Sequence, residues 1–179
     1  MNEPTSRFLL RPAFAAAFGL LALAGCQSAR VAKPLPPEML GNAPDQQMAY
    51  WHTLAERTLT SNDEAFHGLL LYADARDECK SYDERVALLK SRRMLPPGFN
   101  APADQAITRG TLAVAVCRII DLRGGLMYSL LPANPRYAVR ELEFMELYPP
   151  SSPQQTFSGP EFLGIVGRIE DYQRGNPAN

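Results

Sequence analysis

"ITRGTLAVAVCRIIDL", residues 107–122, is the stretch on which the reading of this chain turns. Leu112, Ala115, Val116 and Ile119 recur at intervals of three and four, the spacing of one helical face, and Thr108 stands where a hydroxyl accepts from the free amides of a first turn. The stretch therefore predicts a helix capped by Thr108. "FSGPEFLGIVGRIEDY", residues 157–172, repeats the layout: Phe162, Ile165, Val166 and Ile169 form the stripe, and Ser158 with Glu161 forms a capping box. Pro160 agrees, because its missing amide hydrogen has no helical partner in a first turn. A third copy lies upstream in "TSNDEAFHGLLLYAD", residues 60–74, with Ser61 and Glu64 as the box. The caps are 47 and 50 residues apart, and an aspartate stands thirteen residues after each: Asp74, Asp121 and Asp171. A period of this size implies stacked or symmetric helical units, and the recurring aspartate suggests a shared role at the helix end, such as hydrogen bonding into the next loop.

Each capped helix has a leader. "SYDERVALLKSRRMLPP" and "RYAVRELEFMELYPP" both carry a tyrosine, Tyr82 and Tyr137, an arginine three residues later, Arg85 and Arg140, and a terminal proline pair. Proline pairs stop helices, since each proline pushes the residue before it out of the α region. "MAYWHTLAERTL" is the matching leader of the first copy. The expectation is an all-α fold of six helices in three pairs, with Gly124 and Gly125 ending the fourth.

A leader helix opening with tyrosine or tryptophan, a proline-containing loop and then "ITRG-TLA" resembles the S-layer homology repeat, whose second helix opens with isoleucine, threonine, arginine, alanine and glutamate. The resemblance implies three repeats around a pseudo-threefold axis over residues 48–174 and a domain that holds its protein to the envelope by binding wall polysaccharide. It also implies an electropositive corner at Arg109, helped by Thr108 and the amides near Gly110, that receives acidic sugar substituents. Read from the residues alone, Arg109 is equally an exposed arginine or one that holds Asp104. The copies depart from the family pattern: Thr111 replaces the glutamate in copy two, Gly159 replaces the arginine in copy three, and Asn62 does so in copy one. Trp51 is either a platform for stacking on a sugar or a core residue.

The chain begins with Arg7 and Arg11 ahead of the apolar run FAAAFGLLALAG, which is too short to span a bilayer comfortably and reads as a secretory signal. Leu23, Ala24, Gly25 and Cys26 then resemble a bacterial lipobox with Cys26 as the lipidated residue. By the same resemblance Gln27 directs sorting to the outer membrane, so the expected localisation is its periplasmic face, with the membrane as a partner through the lipid. The expected organisation is a signal peptide over 1–25, a lipidated proline-rich tether over 26–47 that lifts the domain off the membrane, the domain over 48–174 and a tail over 175–179. The chain has 18 basic and 19 acidic residues; loss of Arg7, Arg11 and Glu3 with the signal leaves 16 and 18, which argues against nucleic acid as a partner.

Cys79 and Cys117 either pair across a loop of about 38 residues, worth roughly 3 to 4 kcal/mol, or remain thiols, with Cys117 a small buried hydrophobe. Two cysteines and the distant His52 and His67 show no metal-ligand spacing, and no cofactor motif or acid–base pair is recognisable. The chain is therefore expected not to be an enzyme. It is read as a lipid-anchored module that binds peptidoglycan or an associated wall polymer, or alternatively as a degenerate-repeat scaffold for another envelope protein. The first predicts an open pocket at Arg109, the second a paired Arg109 and an exposed apolar patch elsewhere.

Overall fold

The computed structural model describes residues 28–131 and 133–175, so Cys26 and the expected signal lie outside the described residues. The chain is all-α. Its helices are α1 (Pro44–Ala55), α2 (Asn62–Asp74), α3 (Tyr82–Ser91), α4 (Arg109–Ile119), α5 (Leu126–Leu130), α6 (Pro135–Phe144) and α7 (Gly159–Gly175). The six expected helices are present, and the short α5 is additional.

The capping residues set the helix starts. Ser61 Oγ accepts from the Glu64 amide at 3.1 Å while Glu64 Oε2 accepts from the Ser61 amide at 2.9 Å, and Ser158 with Glu161 does the same at 3.3 and 2.9 Å. Thr108 Oγ1 accepts from the Thr111 amide at 3.2 Å. These starts are also tied to one another. The Asn62 amide donates to Gln105 O (2.8 Å), the Arg109 amide to Gln155 O (2.7 Å) and the Gly159 amide to Arg57 O (2.8 Å). Each helix thus places its first orphan donor on the segment that leads into the next capped helix, and the last returns to the first.

The helix ends differ from expectation. α3 and α6 stop at Ser91 and Phe144, well before Pro96–Pro97 and Pro149–Pro150. They stop because Arg93 (φ 58°) and Glu146 (φ 60°) turn left-handed, which lets Met94 donate to Leu89 O (2.8 Å) and Leu147 to Leu142 O (2.9 Å), with an apolar residue closing each turn. α4 ends the same way at Asp121 (φ 47°), with Leu122 donating to Cys117 O (2.9 Å), so Gly124 and Gly125 instead lead into α5. The three aspartates share no role: Asp74 pairs with Arg92 (2.6 Å), Asp121 is the left-handed residue, and Asp171 lies within α7 beside Arg174 (3.1 Å).

The capped helices α2 and α4 are central. Nine residues of each are buried, against two or three in α1, α3 and α6. Phe66, Leu70, Leu112, Phe162 and Ile165 meet in this core. The interior, 29 buried apolar residues among those described, four of them alanine and one cysteine, supplies the main driving force, at roughly 1.5–3 kcal/mol for each fully buried large side chain.

The expected tether is not free over its described part. Ala106 donates to Ala29 O and Val31 to Asp104 O, both at 2.8 Å, and Arg30 holds both Asp104 oxygens at 3.0 and 2.8 Å. Val31 and Leu35 are buried, and the Leu35 amide donates to Glu64 Oε1 at 3.2 Å. Asn42 and Asp77 exchange two bonds, at 2.8 and 2.7 Å. The domain therefore starts near Ala29 and not at Met48, because two well-placed apolar side chains suffice to seat a proline-rich stretch.

Candidate functional site

Arg109 is the first residue of α4, so its backbone amide and that of Gly110 point out of the helix start. Both are taken, by Gln155 O at 2.7 Å and by Pro153 O at 2.8 Å. The Thr108 hydroxyl is occupied with Thr111, whose own hydroxyl lies 2.9 Å away. The Arg109 guanidinium is buried: its Nη2 donates to Glu161 Oε1 at 2.6 Å and its Cζ lies 4.7 Å from the centre of the Phe157 ring. Bonds from Ser158 and the charge of Arg109 outweigh partial burial and hold the Glu161 carboxyl below its usual range.

The structure therefore brings Thr108, Arg109 and Gly110 together, yet as a closed joint between α4 and α7 and not as an open corner. Asp104, the alternative partner considered for Arg109, pairs with Arg30. Gly110 has its own packing reason: a Cβ there would come within 2.6 Å of Pro135 Cβ and 3.0 Å of Pro153 O. The alanine of the S-layer homology motif has no room at this position. Trp51 is half-buried, edge-on to Tyr50 at 4.8 Å and close to Gly68 of α2, so one side of its ring is used in packing.

Cys79 and Cys117 are both free thiols. Cys117 faces α6, its Sγ 3.8 Å from Ala138 O, and burial pushes it up to about 12. Cys79 sits in the loop after α2, where burial and the neighbouring Asp77 carboxylate raise it. The two are unpaired in this structure: Cys117 packs on α6 and the Cys79 amide donates to Asp77 in the loop after α2. Neither is a ready nucleophile, since a raised pKa suppresses the thiolate.

Sequence spacing missed one carboxylate–histidine pair. His67, in the middle of α2, places Nδ1 2.7 Å from Asp77 Oδ2, and the same oxygen accepts from Arg85 Nε at 2.5 Å while Arg85 Nη1 reaches Asp63 Oδ1 at 2.8 Å. Side-chain exposure is 0% for both His67 and Asp77 and 5% for Arg85. Burial raises Asp77, but the bonds from His67 and Arg85 outweigh it and leave the carboxyl below its usual value. His67 Nε2 is buried without a partner, beside the Tyr50 ring at 4.7 Å, and lines none of the described cavities. With no open nitrogen to reach a substrate, the network serves to bind α2, the loop over 75–81 and α3 together. A histidine in an apolar run such as Phe66–His67–Gly68–Leu69 was the available signal for a buried partner. Among the described residues no group of three His, Cys, Asp or Glu could hold a metal ion.

Two features sequence reasoning also missed lie on the other side of α4. α5 exposes Leu126, Met127 and Leu130, with Leu131 beside them, while only Tyr128 turns inward. A cavity of about 490 Å³ opens next to it, lined by Lys90, Arg93, Arg118, Leu122 and Tyr128 among others. None of the four described cavities is lined by Thr108, Arg109 or Gly110. Compared with protein-family models, curated proteins and solved structures, the chain matches none of them.

Proposed function

We propose that the chain is a non-enzymatic lipoprotein of the cell envelope, lipidated at Cys26 and held on the periplasmic face of the outer membrane, where it acts as a scaffold for another envelope protein. The observation that carries this reading is the state of Arg109. Its guanidinium is paired with Glu161, and the adjacent amides already donate within the chain, so the corner that would take an acidic sugar is occupied. A surface suited to a protein partner lies elsewhere: Leu126 is 76%, Met127 48%, Leu130 65% and Leu131 47% exposed. Leu126 and Leu130, like Met127 and Leu131, are one helical turn apart and make one apolar stripe, and unpartnered apolar patches on soluble domains mark interaction sites.

The fold is best read as a degenerate S-layer homology arrangement, three helix pairs about a pseudo-threefold axis. Support comes from the closed series of bonds from Asn62 to Gln105, from Arg109 to Gln155 and from Gly159 to Arg57, which relates the three capped starts in cyclic order. The docked N-terminal segment bears on the anchor. Gln27 and Ser28 alone separate Cys26 from the bonded Ala29, a reach of roughly 10 Å at about 3.3–3.6 Å per residue. A lipid at Cys26 would hold the domain close against the membrane, within reach of membrane-embedded or membrane-bound proteins and not raised on a spacer.

Wall-polymer binding is the second reading, and one observation favours it: Arg109 Nε is buried without a partner, a donor that an acidic group would satisfy once the joint with Glu161 opened. A photo-crosslinking residue at Leu126 or Leu130, expressed in cells, separates the two. The scaffold reading expects a discrete crosslinked protein from these positions and none from Glu170 on α7; equal crosslinking from all three, or none from α5, overturns it.

A further inference from the structure

The cavity beside α5 combines apolar and cationic lining. Leu95, Val114, Leu122 and Tyr128 are among its apolar residues, and Lys90, Arg93 and Arg118 line it with a single acid, Asp121. Among the described residues none of the three cations is engaged in an ion pair, although Arg92, next in the chain, is held by Asp74. The residues that line it therefore carry a net excess of two positive charges, with Glu141 close enough to act on Cys117 and Tyr128 from outside the lining. A second cavity, of about 390 Å³, shares Pro96, Pro97 and Ala133 with the first and runs on beneath Leu130 and Leu131 to Pro135. The two form one trough, cationic at one end and apolar along the rest.

We propose that this trough binds a single-chain anionic amphiphile, a carboxylate-headed acyl chain, with its head at Lys90, Arg93 and Arg118 and its tail over Leu122, Tyr128 and the proline-lined extension. Two observations select this chemistry. The volume of about 490 Å³ falls within the range of concave small-molecule sites, roughly 300–1,000 Å³, and is concave where a protein partner would meet a flat face. The charged residues line the first cavity and none lines the second, so the complement is one anionic head on an apolar chain; a polyanion would leave the apolar extension unused, and a neutral chain would leave the cations unmatched. The inference does not rest on the scaffold reading, because the head site is built from Lys90, Arg93 and Arg118, outside the α5 stripe, although Leu130 and Leu131 border both surfaces.

The test is calorimetric titration of residues 27–179, which contain every described element, with decanoate, decyltrimethylammonium and acetate below micellar concentration. Decanoate is expected to bind at least tenfold more tightly than either of the others. Two variants locate it: the exposed charge reversal Lys90→Glu with Arg118→Glu, and Ala133→Trp, which fills the junction of the two cavities. Each should weaken decanoate at least tenfold, and the charge reversal should improve decyltrimethylammonium. Circular dichroism checks that both variants remain folded. Equal binding of the two amphiphiles, absence of decanoate binding, or sensitivity to only one of the two variants overturns the proposal, the last because it marks simple anion binding or simple apolar adsorption.

Discussion

Replacing Asp77 with asparagine removes the centre of the buried network without changing its size. In the native chain Asp77 Oδ2 accepts from His67 and Arg85, and Oδ1 accepts from the Cys79 amide at 2.9 Å. Asparagine keeps one oxygen and presents an amide to donors, and it leaves Arg85, 5% exposed, with Asp63 as its remaining carboxylate. Breaking a buried pair by removing one partner costs about 3–5 kcal/mol; Asp63 is 25% exposed and retains part of the pairing, so about 3 kcal/mol is expected. That is a large part of a total near 5–15 kcal/mol for a domain of this kind. Urea unfolding followed by circular dichroism reads the loss as a shift in midpoint at constant slope.

The pH dependence supplies a second readout. The folded Asp77 carboxyl lies below its unfolded value, so its contribution is complete above that unfolded value, roughly pH 4, and is lost as pH falls through the lower folded value. The gap between native and variant should therefore narrow on acidification below about pH 4. Arg85→Met should also cost at least 1 kcal/mol less in the Asp77→Asn background than alone, about the coupling expected of residues in one network. A loss under 1 kcal/mol for Asp77→Asn, or additive effects of the two substitutions, would refute the claim that this network holds α2 to α3.

Gly110→Ala should cost about 1–3 kcal/mol by overpacking against Pro135 and Pro153, visible as a lowered Tm. Thiol titration of residues 27–179 at pH 8 should detect two reactive groups only after denaturation, with Cys117 silent in the native protein; absence of thiols in the denatured chain would reveal a disulfide and contradict the structure. Leu35→Asp should free the N-terminal segment, because a buried unpaired carboxylate replaces an apolar contact, and limited proteolysis should then cut between 29 and 43 while the helical core survives. Native-like resistance in that variant would mean that the segment is held without Leu35.

What the sequence conveyed was local. Ser61, Thr108 and Ser158 could be read as caps because each bonds to an amide three residues on, and the helical stripes followed from spacing alone. Helix ends were less legible, since Arg93, Asp121 and Glu146 adopt a left-handed conformation that favours glycine, while the glycines and proline pairs nearby were poor guides. α5, five residues long, is too short to show a period. The partners at the candidate site were illegible for the opposite reason: Arg109 meets Glu161 across 52 positions and His67 meets Asp77 across a helix end, pairings no local pattern encodes. Glu161 was recognised for its cap, yet its second oxygen closes the arginine corner, so one carboxylate does both. The N-terminal segment was read as a spacer from its prolines, although Val31 and Leu35 needed only a groove to settle in.

The central claim is that Arg109 is a joint between α4 and α7 and not a receptor for wall sugars. Co-sedimentation of the lipid-free domain, residues 27–179, with isolated cell-wall sacculi tests it most directly, alongside Arg109→Ala and Glu161→Gln. The account predicts that no form pellets with the sacculi while both variants unfold at lower urea than the native domain; pelleting of the native domain that Arg109→Ala abolishes and Glu161→Gln strengthens would contradict it.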